Sequence, residues 1–182
     1  MVLFSKHYTE AGVAVQLQAV INDALKDITG PPVILCIGSD RHVLDCFGPL
    51  TGSMLNQAGI SVPVYGDLDH PLHASNIPRE LRLIQEAHHD RFEIAIDASV
   101  GTEVEIGTIK VRRGPILPAK AVGKRLPAVG ELAITGVVGV RQNQRTARPI
   151  TYGSLAHVYH MACLVSQALI NWDATRCGNK WS

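Results

Sequence analysis

The chain has 182 residues, 46% of them hydrophobic and 18% charged, with a formal net charge of +1. That length suffices for a single domain, residues 1–182, with a real core, and the composition is too apolar for a disordered tail and too interrupted for a membrane protein. A near-neutral chain has no field of one sign to draw it onto nucleic acid or an anionic bilayer, so neither is expected as a partner. Cys36, Cys46, Cys163 and Cys177 form no CxxC pair, and no signal peptide is read at the start, so a reducing, cytoplasmic setting is expected.

From Thr9 to Ile28 the apolar positions Val13, Leu17, Val20, Ile21, Ala24, Leu25 and Ile28 recur every three or four residues, which predicts a helix with one buried face. Gly30-Pro31-Pro32 stops it. Val33 to Ile37 is a short apolar run with β-branched residues, read as a strand buried on both faces. Pro49 then suits the first turn of a helix running through Met54 and Leu55 to the terminator Gly59. Val62 to Tyr65 reads as a second strand, followed by the loop GDLDHPLHASN and a helix over Pro78 to His88, capped by Ser75 or Asn76. Phe92 to Asp97 is a third strand that ends in an acid.

This alternation predicts an α/β fold with a largely parallel central sheet. Ile106 to Arg112 alternates like an exposed or edge strand, Gly114 to Gly130 has no periodicity, and Leu132 to Val140 resumes as a buried strand. A long helix from Ser154 to Trp172 should pack on the sheet through Leu155, Val158, Met161, Leu164, Val165, Ala168 and Leu169.

In an open parallel sheet the loops after the strands share one edge, and ligands bind there. Asp40 and Asp45 follow the first of these strands, Asp67 and Asp69 the second, and Asp97 closes the third. Asp45 stands just before the Pro49 helix, whose free N–H groups favour an ionised carboxylate. Asp97 ends an apolar strand, where desolvation favours the neutral acid. Two carboxyls pushed in opposite directions would suit an acid/base pair acting on water. The alternative is structural: an Asp before a helix is often a cap, and one at a strand end often bonds turn amides.

Asp67, Asp69, His70 and His73 share one loop and have the donor types for zinc or nickel, at a spacing that is not diagnostic. Cys36 falls inside a strand, Cys46 has only His42 nearby to orient it, and no G-x-S-x-G elbow exists. GPILPAKAVGKR is not a phosphate loop, since Pro118 stands where the first glycine belongs and Arg125 follows Lys124. Folded over the crevice, Lys124 or the amides near Gly123 could hold a substrate carbonyl.

Four ordered blocks, CIGSDRHVLDCFGPLTG, VYGDLDHPLHASNI, IAIDASVG and GPILPAKAVGKRLPAVGELAITGVVGV, resemble the YyaC-type sporulation proteins, which are similar to the germination protease of spore-forming bacteria. The resemblance covers about residues 33–140. It implies an α/β/α sandwich shared with the hydrogenase maturation proteases, and an aspartic-type peptidase without metal or other cofactor that acts on small acid-soluble spore proteins. Its catalytic acids lie in Asp-x-x-Gly-Pro and Ile-Asp-Ala blocks, which fall here on Asp45 and Asp97. Zymogen control is not carried over, because no propeptide is recognisable. The maturation proteases grip nickel with two acids and a later histidine. Asp45 and Asp67 match the acids, and the histidine has no counterpart.

The resulting expectation is a peptidase that hydrolyses a peptide bond with Asp45 and Asp97 as catalytic acids. Asp40, Asp67 and Lys124 are expected to contact a protein or peptide substrate. A binding protein that kept the crevice without activity and a metal-dependent maturation-type endopeptidase are the alternatives. The resemblance also implies a homo-oligomer, and the exposed apolar character near Pro115 to Leu117 makes that stretch the expected contact.

Overall fold

Apolar side chains on successive strand residues point to opposite faces of a sheet, so a continuous apolar run needs a core on each side. The structure, a computed structural model describing residues 1–118, 126–140 and 153–178, supplies both cores. In chain order the elements are β1 (Val2–His7), α1 (Val13–Leu25), β2 (Val33–Cys36), α2 (Phe47–Gln57), β3 (Val64–Tyr65), α3 (Ile77–Ala87), β4 (Glu93–Gly101), β5 (Thr108–Arg113), β6 (Leu132–Val140) and α4 (Leu155–Gly178). Six strands form one mixed sheet in the order β1-β5-β6-β4-β2-β3. β6, β4, β2 and β3 are parallel, while β5 runs antiparallel to both β6 and β1.

On one face Ile34, Cys36, Ile94, Ile96 and Ile134 pack with residues of α1, α2 and α4, among them Leu17, Phe47 and Met161. On the other face Val33, Leu35, Ile37, Ala95 and Ala133 pack under Ile77, Leu81 and Ile84 of α3, joined by Ile116 and Val129. The result is an α/β/α sandwich. Each fully buried Ile or Leu contributes roughly 1.5–3 kcal/mol relative to leaving it in water.

Two glycines decide where α2 sits. A Cβ on Gly48 would come within 2.1 Å of the Ile37 carbonyl oxygen, and one on Gly52 within 2.2 Å of the Gly66 carbonyl oxygen. Their four-residue spacing puts both on one helix face. The helix therefore rests on bare backbone at the ends of β2 and β3, which brings its N-terminus to the edge where the strand-end acids lie.

Several expectations are corrected. Val2–His7 is a strand that the sequence reading missed, and it pairs with β5, which is therefore not an edge strand. α1 starts at Val13 rather than Thr9, because Gly12 before it has φ +73° and takes the chain out of helical geometry. β4 does not end at Asp97 but continues to Gly101, with a register shift against β6 between Ser99 and Val100. Asn76 precedes α3, yet its side chain makes no capping bond. Of the expected contact surface, Leu117 is exposed, whereas Ile116 is buried and bridges Val129. Among the described residues no helix is long and apolar enough to cross a membrane.

Candidate active site

Backbone hydrogen bonds gather the site around the last residues of β2. Ile37 N–H donates to the Ile96 carbonyl at 2.7 Å, which sets Asp97, the next residue of β4, beside the end of β2. Gly38 N–H donates to the Leu72 carbonyl at 2.8 Å, drawing in the loop between β3 and α3. Ser39 N–H donates to the Asp45 carbonyl at 2.9 Å, so the loop that leaves β2 returns to it. A turn of 3₁₀ helix, Val43–Asp45, closes that loop, with Asp45 N–H bonded to the His42 carbonyl at 2.8 Å.

Only glycine fits at position 38. Its φ is +145°, and a Cβ there would lie 2.0 Å from the Asp45 carbonyl oxygen and 2.9 Å from Pro49. Asp45 thus passes over the strand end in van der Waals contact with its backbone. Asp97 reaches the same place from β4, on the face of the sheet that carries Ala95 and Ala133.

The two carboxyls feel each other. Burial raises the Asp97 carboxyl well above the usual carboxylate range, and the negative charge of Asp45 raises it further, against a small opposing contribution from the Ala98 amide. Asp45 is also raised, by the surrounding protein, while His42 and His73 pull it back down. The expectation that the two would move in opposite directions is therefore corrected: both move up. They still differ, because Asp45 is exposed to solvent while Asp97 is mostly covered, and no described cation offsets the burial of Asp97. One proton shared by this pair resides on Asp97 first.

The other expected residues are distributed less compactly. Asp40 is exposed in the loop that leads to Asp45. Asp67 Oδ1 accepts from the amides of Asp69 at 3.1 Å and His70 at 2.6 Å, and its Oδ2 from Asn56 Nδ2 at 3.1 Å. Its role is to fold the loop after β3 and tie that loop to α2. His70 Nδ1 lies 3.6 Å from Asp67 Oδ1, with its side chain 90% exposed. Among the described residues no three His, Cys, Asp or Glu side chains are arranged to hold a metal ion. Lys124, with Gly123, lies outside the described residues.

The sequence reading did not place His42 and His73 beside Asp45. His73 is half-buried in the loop between β3 and α3, and its Nδ1 lies 2.9 Å from Ser75 Oγ. The available signal was the run HASN, which sets a Ser and an Asn two and three residues beyond His73, the spacing of local side-chain to backbone turns. Cys46 is buried and its thiol is pushed up by burial, with Sγ donating to the Val43 carbonyl, so it is no nucleophile at rest. A separate open groove of about 460 Å³ runs between α2 and α4, lined by Leu50, Met54, Leu68, Tyr159 and Cys163 among others, and neither carboxyl lines it.

Residues 5–168 match the family described as protein of unknown function (DUF1256), and the chain belongs to that family. It is 38% identical to the uncharacterized protein YyaC of Bacillus subtilis (strain 168) over 135 residues, which are 73% of this chain and 66% of that relative. The match thus spans just under two thirds of the relative's length. Among solved structures, the NiFe hydrogenase maturation protease HycI from Thermococcus kodakarensis KOD1 is similar, with a TM-score of 0.51 and 17% identity, over 82% of this chain and 98% of that one. At that identity the likeness establishes a shared fold.

Proposed function

For this member of a family without an assigned function, we propose a peptidase in which Asp45 and Asp97 activate water against a peptide bond. Asp45, solvent-exposed and the more readily ionised, takes a proton from the attacking water. Asp97, whose neutral form is favoured by burial and by the charge of Asp45, donates its proton to the leaving amine nitrogen. The bond that breaks is the amide C–N, and the water oxygen becomes part of the new carboxylate. The proton gained by Asp45 and lost by Asp97 re-equilibrates through solvent, and the cycle closes without an oxidant or reductant.

The observation that carries this reading is that backbone bonds bring Asp45 and the Asp97 position of β4, distant in sequence, to the same strand end, at the edge of a parallel sheet where such folds bind ligands, with the charge of Asp45 felt at Asp97. The likeness in fold to a maturation protease supports the same class of reaction. The substrate class is an extended segment of a protein, with small acid-soluble spore proteins as the first to test.

The purified protein is incubated with such spore proteins, and fragments are sought by mass spectrometry. Wild-type protein is expected to give discrete fragments, and Asp45→Asn and Asp97→Asn to slow cleavage by about 10²-fold or more with no loss of thermal stability. Cleavage by both variants at the wild-type rate refutes the mechanism. Capture of the spore proteins without any fragment indicates a binding protein instead.

A further inference from the structure

α2 and α4 follow strands of the parallel part of the sheet, β2 and β6, so both helices begin at the edge that carries the strand-end acids. They pack side by side, and the turn Val43–Asp45 packs against both. The groove of about 460 Å³ between the two helices therefore starts at the turn that carries Asp45. On the α2 side it begins with Leu50, about one helical turn past Asp45, whose N–H donates to the Cys46 carbonyl at 2.8 Å. Leu68 borders it from the loop after β3, held there by its N–H donating to Ser53 Oγ at 3.0 Å.

The floor of the groove is closed and apolar. Leu50, Met54 and Ile170 are half-buried and rest on the core, and the buried Ser166 Oγ donates to Met54 Sδ at 3.6 Å, across the two helices. The rim is open, with Leu68 36% and Tyr159 49% exposed. None of the described residues that line the groove is an Asp, Glu, Lys, Arg or His, although Asp40, Arg41 and Asp69 are exposed on loops of the same edge. Between Tyr159 and Ile170, α4 advances by about 16 Å, a length that an extended chain covers in about five residues. The volume falls in the range of ligand sites.

We propose that the α2–α4 groove is the specificity subsite of the Asp45 edge: it holds one flank of a protein substrate, about five uncharged and mainly apolar residues in extended form, while the adjoining peptide bond lies at Asp45. This deepens the peptidase reading and rests on it for what happens to that bond, but the binding is testable without any cleavage. Continuity with the Asp45 turn selects a flank of the substrate as the occupant. The uncharged lining selects its composition, because a charged side chain laid in the groove loses water and finds no ion to replace it. Met54 supplies a flexible apolar contact and Tyr159 an amphipathic one, a combination that accepts apolar residues of varied shape.

The test titrates the intact protein with two capped pentapeptides, one alternating alanine with leucine and one alternating alanine with aspartate, to about millimolar concentration. The leucine peptide is expected to shift the amide NMR signals of Leu50, Leu68, Tyr159 and Ile170 and of the Asp45 turn, and the aspartate peptide to leave them in place. Leu68→Asp and Tyr159→Ala, both at exposed positions, are each expected to weaken leucine-peptide binding about tenfold. Leu83→Asp, at an exposed leucine of α3 on the other face of the sheet, is expected to have no effect. No shift with the leucine peptide, equal shifts with both peptides, or binding untouched by both groove variants overturns the proposal. A concentration-dependent dimer that Leu68→Asp dissociates also overturns it, since the groove then holds a second copy of the chain. Groove binding without any cleavage of protein by the wild type keeps the subsite and sinks the peptidase reading alone. Cleavage at an unchanged kcat/KM in both groove variants does the reverse.

Discussion

Replacing Asp97 by Asn should stabilise the protein at neutral pH, by an amount that grows with pH. In the unfolded chain an Asp titrates near about 3.9. In the folded protein burial and the Asp45 charge hold Asp97 well above that, so between the two midpoints the folded state carries one proton more than the unfolded state. Stability then falls as pH rises through this window, at about 1.4 kcal/mol per pH unit, and levels off once the folded carboxyl ionises. The full contribution is present below about pH 4 and is progressively lost above it. Asn has nearly the same shape and no charge, so the variant lacks this slope. Asp45 contributes a loss of the same sign over a smaller range, since it is raised less and has two histidines opposing the rise. Urea unfolding of wild-type and Asp97→Asn proteins at half-unit steps from pH 4 to 8 measures the difference directly. A stability difference that stays flat across that range would mean that Asp97 is not a desolvated acid. The argument for it as proton donor would fall with it.

Two further outcomes follow from the packing. Gly48→Ala should cost at least about 3 kcal/mol in urea unfolding, because the new Cβ meets the Ile37 backbone oxygen at 2.1 Å and no flexible side chain is there to give way. Asp173 of α4 is buried, and although burial raises its carboxyl, the Ser61 amide at 2.7 Å, the Arg176 guanidinium at 2.7 Å and the Ser61 hydroxyl at 2.7 Å more than offset this and hold it below the usual value. Its stabilisation is therefore present above about pH 4 and fades as pH falls below that. Asp173→Ala should lower stability at pH 7 by about 1–3 kcal/mol, with the deficit shrinking in acid as measured by thermal melting.

The parts of this fold that are written locally were legible in the chain. β2 and β6 announce themselves as apolar runs, α3 by Pro78 in its first turn, and Asp45 by its place between a buried strand and a helix. What escaped depends on partners far away in sequence. Val2–His7 has neither strict alternation nor a fully apolar run, and it becomes a strand because β5 is there to pair with it, through a register irregularity between Val2 and Phe4. The extension of β4 beyond Asp97 uses Ala98, Ser99 and Gly101, small residues with little strand preference, and depends on β6 alongside. Asn76 has the residue type and position of a cap, and only the three-dimensional path of the Pro71–Asn76 loop reveals that its amide is spent on the loop instead. The direction of the Asp45 shift was missed because a helix terminus is a local feature, whereas the mass of protein around a carboxyl is not.

The contact of Gly48 and Gly52 with strand carbonyls has a mechanical corollary. Where side chains separate a helix from a sheet, substitutions in that layer let the helix drift by fractions of an ångström; a helix seated on naked peptide groups has hard stops and no cushion. The sheet edge that carries the Asp45 turn is thereby insulated from changes in the hydrophobic layers behind it. The interior can diverge widely across relatives while the spacing between the Asp45 turn and the neighbouring strands stays the same.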